Sequence, residues 1–282
     1  MSLSDYRKQH DFLICVDSDG CAMDTMDIKH FTCFGPCMIA EWGLGEWEEA
    51  LLKRWNDVNL YTMTRGINRF KGLAILLSEV DANLTPVPGV AEFVAWTEES
   101  PELSNDALER VIAAGTENGI FGKALSWSRA VNAKIKTLPP EEVKPFPLAK
   151  EALAFAHERA DVAIVSSANL DAVLEEWQQH GLLEHTDVVL SQNVGSKAFC
   201  IAELLKKGYQ PDHVVMCGDA PGDHQAAVKN GVYYYPILVK KEKACWEEFI
   251  SEGLDRLING TYGGEYQTEK VAAFLHNLGA EA

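Results

Sequence analysis

The chain of 282 residues carries 25 Lys+Arg against 42 Asp+Glu, a formal charge of −17 at pH 7, with 47% hydrophobic and 24% charged residues. That length suits one large domain or two unequal ones, and the composition excludes global disorder. The acidic balance weighs against nucleic acid and against anionic membrane surfaces as partners, because both are met by clustered Lys and Arg.

The first element in chain order is FLICV (12–16), a short apolar run whose length and β-branched content predict a buried strand. From Asp24 to Val143 the pattern changes to helical periodicity, at Glu46–Trp55, Asn68–Leu77, Val90–Glu98, Asp106–Glu117 and Leu125–Thr137, with no convincing strand. PPEEVKPFP (139–147) then reads as a linker. Beyond it the runs VAIV (162–165), DVVLS (187–191), HVVMC (213–217) and VYYYPILV (232–239) alternate with helical patterns at 149–160, 169–181, 197–207 and 222–230. Strand alternating with helix predicts an α/β fold, a Rossmann-like, doubly wound, mostly parallel sheet. An all-helical domain is expected as an insertion after its first strand. The expected domains are 1–24 with 144–282 for the core and 25–143 for the insertion, with 242–282 helical and packed on the core.

No apolar run approaches the roughly 18–20 residues of a membrane span, and the polar start MSLSDYRKQH lacks a signal-peptide core. Seven cysteines without framework spacing read as reduced thiols, so a cytoplasmic protein is expected.

Four features fall at the carboxyl ends of expected strands, where open parallel sheets bind ligands. Asp17-Ser18-Asp19-Gly20 follows FLICV and sets two carboxylates two residues apart, facing one crevice. A solvated turn would explain this pair equally well. Gly218-Asp219-Ala220-Pro221-Gly222-Asp223 follows HVVMC and adds two more carboxylates on a turn that opens a helix, where Asp223 would also serve as a first-turn acid. Four carboxylates from two strands make a hard oxygen site of the Mg²⁺ type. Ser166-Ser167-Ala168-Asn169 follows VAIV and suits a phosphate oxygen, or simply caps a helix. Lys197 opens a helix after Gly195-Ser196. Together the four supply an attacking carboxylate, a proton-exchanging carboxylate, a cation site and two holders of phosphoryl oxygens.

With these residues in place the sequence resembles the haloacid dehalogenase-like hydrolase superfamily. DSDGCAMDT (17–25), VAIVSS (162–167), Lys197 and GDAPGD (218–223) look like its four motifs, and the insertion sits where a C1-type cap would. The resemblance implies Asp17 as the nucleophile that forms an aspartyl-phosphate and Asp19 as the general acid/base. It implies Mg²⁺ held by Asp17, the backbone carbonyl of Asp19 and Asp219, with Asp223 in support. Ser166, Ser167 and Lys197 would then hold the phosphoryl group. Cys21 replaces the usual threonine or valine, and Ala198 replaces a frequent proline after the lysine. Asp19 weighs against haloacid dehalogenation, which does not need it.

In the insertion, Arg65, Arg69 and Lys71 put three cations into seven residues, similar to the specificity loop of the β-phosphoglucomutase-like subgroup. Arg65 or Arg69 is the expected contact to an anionic or hydroxyl-rich part of the substrate, with Lys29 and His30, a few residues past the first motif, as second-tier contacts. A solvated helix start is the plainer reading, and the tryptophans of this region read as helical core. The expected activity is Mg²⁺-dependent hydrolysis of a small phosphorylated metabolite. Its rivals are a phosphomutase, a non-catalytic binding or regulatory protein that keeps the fold, and a receiver-type phosphoacceptor. The large insertion sets the last aside.

Overall fold

The computed structural model describes residues 3–115 and 119–280. The chain divides into two compact units, Met1–Met26 with Pro140–Ala282, and Asp27–Pro139. Among the described residues seven strands lie in the first unit: β1 (Leu13–Val16), β2 (Met23–Asp24), β3 (Lys144–Pro145), β4 (Asp161–Val165), β5 (Val188–Leu190), β6 (Val214–Gly218) and β7 (Tyr233–Pro236). Five of them form a parallel sheet in the order β5-β4-β1-β6-β7, which makes the first strand the middle one. Leu13 pairs with Asp161 on one side and with Val214 on the other. Every residue of β1, β4 and β6 is buried, which is why these strands read as unbroken apolar runs without alternation.

The remaining two strands correct the sequence reading. Met23 pairs with Pro145 and Asp24 with Lys144 in an antiparallel ribbon, so the segment taken as linker contains a strand. Two residues are too few to show a period, and the pairing joins positions far apart in the chain.

The second unit is helical: α1 (Met26–Lys29), α2 (Gly35–Trp42), α3 (Glu48–Asn56), α4 (Arg69–Asn83), α5 (Val90–Glu99), α6 (Asn105–Ala113) and α7 (Gly119–Ile135). The first two, joined by a π-turn at His30–Phe34, were not anticipated. Pro36 sits in the first turn of α2, where no amide bond is lost. The helix expected over 106–117 runs from Asn105, behind a Ser104 cap that accepts from the Ala107 amide at 3.1 Å, and ends at Ala113; Glu117 lies outside the described residues. Trp55 and Trp127 meet edge to face at 5.9 Å, and Trp127 meets Phe70 at 6.1 Å. The tryptophans are core, as their spacing indicated.

Around the sheet stand α8 (Ala149–His157), α9 (Leu170–Gln179), α10 (Lys197–Leu205) and α11 (Pro221–Asn230), then α12 (Glu242–Glu248), α13 (Leu254–Ile258) and α14 (Glu265–Asn277). The C-terminal helices contribute Trp246, Leu254, Leu257 and Tyr266 to the same buried cluster as Ile14, Val16 and Ile164. Each large side chain buried in this way stabilises the fold by about 1.5–3 kcal/mol. At the amino end of the sheet Asp161 is buried and ties down the segment before β1. It accepts from the amides of Gln9 (2.9 Å) and His10 (3.1 Å), meets the His10 ring at 3.0 Å, and takes the Tyr209 hydroxyl, itself bonded to Tyr6. Among the described residues no helix is long and apolar enough to cross a membrane.

Candidate active site

Asp17 is the first residue past β1, and its amide still donates to the Cys217 carbonyl at 3.0 Å, so the sheet itself fixes its position. The chain then folds back on itself. Met23 and Cys21 amides donate to the Ser18 carbonyl at 2.9 and 3.3 Å, and the Gly20 amide donates to the Met23 carbonyl at 2.8 Å. Gly20 takes a φ of +82°, which a side chain would strain. Within this loop Asp19 is half-buried and its carboxylate accepts from the Thr25 hydroxyl.

β6 delivers the second pair of acids. Asp219 follows it directly, and Asp223 lies in the first turn of α11, where one oxygen accepts from the Ala220 amide at 3.0 Å. The plain reading of Asp223 as a capping acid is therefore true of that oxygen. Its other oxygen meets Lys197 Nζ at 2.5 Å, and the same ammonium lies 2.6 Å from Asp17 Oδ2. A β-carbon on Gly218 would come within 2.3 Å of the Asp223 side chain, so only glycine lets this acid approach.

The structure thus gathers Asp17, Asp219 and Asp223, all buried, with one oxygen of each within 4.8 Å of the others. Burial pushes the Asp17 carboxyl up to about 6, against the pull of Lys197 and with the help of the Asp223 charge. Asp223 is raised as well, by burial first and then, against Lys197, by Asp219. For Lys197, burial works to lower the ammonium, but the two carboxylates outweigh it and hold the group above its ordinary range. The lysine is also the first residue of α10, where the helix dipole disfavours a cation by about 0.3–1 kcal/mol; the acids keep it there.

Three carboxylates around one ammonium leave two negative charges in a buried pocket of hard oxygen donors. That donor set fits a small divalent cation of the Mg²⁺ kind, and it does not resemble a zinc site. The Asp19 carboxylate is not part of the trio; its hydrogen bond goes to Thr25.

The other expected site residues are placed as follows. Ser166 is buried directly after β4, at the same end of the sheet as Asp17, and its hydroxyl accepts from the Ala168 amide at 3.1 Å. Ser167 is exposed, and the helix cap proper is Asn169, which accepts from the Asp171 amide at 3.0 Å. Lys29, Arg65 and Arg69 belong to the second unit. Lys29 is buried at the end of α1, and Arg65 is buried with a guanidinium N–H on the Leu60 carbonyl at 2.7 Å. Arg69 donates to Ser128 (3.1 Å) and Asn132 (2.8 Å) and lies over the Phe34 ring. His30 stacks on Phe34 and accepts from the Trp55 indole at 2.9 Å, a packing role.

Sequence reasoning passed over the residues that brace the acid loops. Trp177 donates to Ser18 Oγ (2.8 Å), Trp246 to the Cys21 carbonyl (3.1 Å) and Tyr234 to the Gly218 carbonyl (2.9 Å). Each reads in sequence only as an apolar core position, and no local signal distinguishes it.

The pattern of the haloacid dehalogenase-like hydrolase family matches residues 102–236. No curated protein matches the sequence closely enough to count as a relative. Among solved structures, a protein from Lactobacillus delbrueckii subsp. bulgaricus provisionally named a phosphoglycolate phosphatase is 15% identical, with a TM-score of 0.50 over 80% of this chain and 85% of that one. A haloacid dehalogenase-like family hydrolase from Streptococcus pneumoniae is 14% identical (TM-score 0.47, 84% of this chain and 90% of that one). A protein from Thermotoga maritima provisionally named a β-phosphoglucomutase is 18% identical (TM-score 0.47, 80% and 84%). At its identity the first of these likenesses is one of fold. The family match covers three of the four motifs, and the parallel sheet sets the remaining one, on β1, beside them. Over residues 102–236 this chain is similar to the haloacid dehalogenase-like hydrolases, and it is an enzyme.

Proposed function

We propose that the chain is a Mg²⁺-dependent phosphatase that acts on a small phosphorylated metabolite through an aspartyl-phosphate on Asp17. The observation that carries the reading is the buried trio of Asp17, Asp219 and Asp223 with Lys197 bridging the first and the last. A carboxylate raised to about 6 is ionised at neutral pH and, in this pocket, lies next to an ammonium able to receive phosphoryl oxygens.

An oxygen of Asp17 attacks phosphorus, the bond from phosphorus to the ester oxygen breaks, and Asp19 gives its proton to the departing alkoxide. Asp19, now a carboxylate, takes a proton from water as that water attacks the same phosphorus. The acyl–phosphate bond breaks, inorganic phosphate leaves and Asp17 is restored. Lys197 and the Ser166 hydroxyl would hold the transferring oxygens. Mg²⁺, held by Asp17, Asp219 and Asp223, would neutralise charge between the attacking carboxylate and the phosphoryl group. Asp19 is what a dehalogenase would not need, since attack on carbon with loss of halide requires no acid.

The test is phosphate release from a panel of small phosphate esters, in Mg²⁺ or chelator, for wild type and Asp17→Asn. Metal-dependent release that Asp17→Asn abolishes is the expected result. Release that survives the substitution would overturn the mechanism, and release only after priming with a bisphosphate would turn the reading to a phosphomutase.

A further inference from the structure

Two tryptophans with no exposed surface direct their indole N–H groups at the loop that carries the acids. Trp177, on α9, reaches Ser18 Oγ at 2.8 Å; Trp246, on α12, reaches the Cys21 carbonyl at 3.1 Å. Between the two anchored residues lie only Asp19 and Gly20. Ser18 is itself wholly buried, so its hydroxyl makes this contact away from water. A tryptophan fills a core through its rings, and phenylalanine would fill much of the same space; what the indole adds is one directed donor. Two such donors converge on one short turn, outside the ladder of the sheet, whose own closure depends on a left-handed glycine.

We infer that Trp177 and Trp246 are positioning residues that hold the 17–21 loop in the geometry the phosphoryl-transfer step requires, an inference that rests on the phosphatase reading. An acid displaced by about 1 Å can lose roughly a hundredfold in rate, so a loop on a free glycine turn needs outside restraint. The bond from Trp177 fixes the side chain between the nucleophile and the acid. The bond from Trp246 fixes the backbone just past the acid. Trp246 also lies beyond residues 102–236, so the C-terminal helices acquire a role in catalysis that the family match does not include.

The experiment is a double-mutant cycle on the full-length protein. Trp177→Phe and Ser18→Ala are each expected to lower kcat roughly tenfold with KM unchanged, since loss of one directed bond is worth about that factor. The double variant should be no worse than either single one, because both remove the same bond. Trp246→Phe should lower kcat by a similar factor. Hydrogen exchange, which needs no turnover, should quicken at the amides of residues 18–23 in all variants while the slowest core amides keep their protection. Multiplicative losses in the cycle, or unchanged exchange in the loop, would overturn the inference. Absence of phosphate release by wild type with the exchange result intact would remove the phosphatase reading and leave the bracing of the loop standing. Should Trp246→Phe fail to fold, the Trp177–Ser18 cycle decides alone.

Discussion

Asp161 and Asp17 are withdrawn from water at opposite ends of one sheet, the first opening β4 and the second just past β1. Asp161 faces donors on every side: two backbone amides, the Tyr209 hydroxyl and the His10 ring. Although burial raises it, those bonds, led by Tyr209, leave its carboxyl below the usual range. Asp17 receives one amide, from Ser18 at 2.8 Å, and one ammonium, and then faces another carboxylate. Burial therefore lifts it. A buried acid whose donors are complete is a fastening; one left short of donors among other acids is a place for a cation or a proton.

The largest effect that separates the two ends should come from Asp17→Asn. Turnover should fall by about a thousandfold or more, as expected when a nucleophile is removed, with the thermal midpoint little changed; steady-state assays and calorimetry check both. A variant that retains turnover would erase the distinction. Lys197→Met should cost roughly a hundredfold in turnover, the scale of one lost electrostatic contact to the transition state. Yet it should tighten Mg²⁺ binding by isothermal titration, because it removes the positive charge from among the acids. At the other end Asp161→Ala should destabilise the fold by about 3–4 kcal/mol in urea unfolding, by leaving several buried donors unmet, while kcat of the folded protein stays put.

The pH dependence of the metal-free protein sharpens the contrast, for the two acids carry opposite signs. Asp161, held low, contributes stability that is present above the ordinary carboxylate range and lost as pH falls through its own depressed value. Asp17, raised to about 6, contributes stability that is complete below its ordinary value near 4 and lost as pH rises through about 6. Unfolding midpoints should therefore fall on both sides of a mildly acid optimum. Asp17→Asn should flatten the upper limb and Asp161→Ala the lower one. Added Mg²⁺ should restore the upper limb in wild type only. The smallest effect is expected from His10→Ala, which removes one of several bonds to Asp161 and should cost about 1 kcal/mol in the same unfolding assay.

Sequence revealed the carboxyl end of the sheet and was silent on the amino end, for a physical reason. Asp17 and Asp219 sit where apolar runs stop, and strand ends are among the most visible features of an α/β chain. Their convergence follows from parallel pairing alone, since Val16 lies opposite Cys217 and each run ends on the same side. Asp161 also borders an apolar run, but its partners come from residues 9–10 and 209, which no local pattern connects. The same holds for the ribbon of Met23–Asp24 with Lys144–Pro145 and for the indole bonds of Trp177 and Trp246. Around α1 and α2 the difficulty was different: a π-turn shifts the helical phase by a residue, so the 3.6-residue period was broken there.

The central place of β1 also governs the order of events at birth. Leu13–Val16 is made before both strands that flank it, β4 and β6, which follow only after the whole of residues 27–139. Until then its amides and carbonyls have no ladder to join, and its side chains no core. The inserted helices close mainly on near neighbours and can condense without waiting for the sheet. A nascent chain stopped at residue 139 would thus bear a finished helical body behind an unfinished apolar strand, and it is at residues 12–16 that a holding chaperone would find its grip.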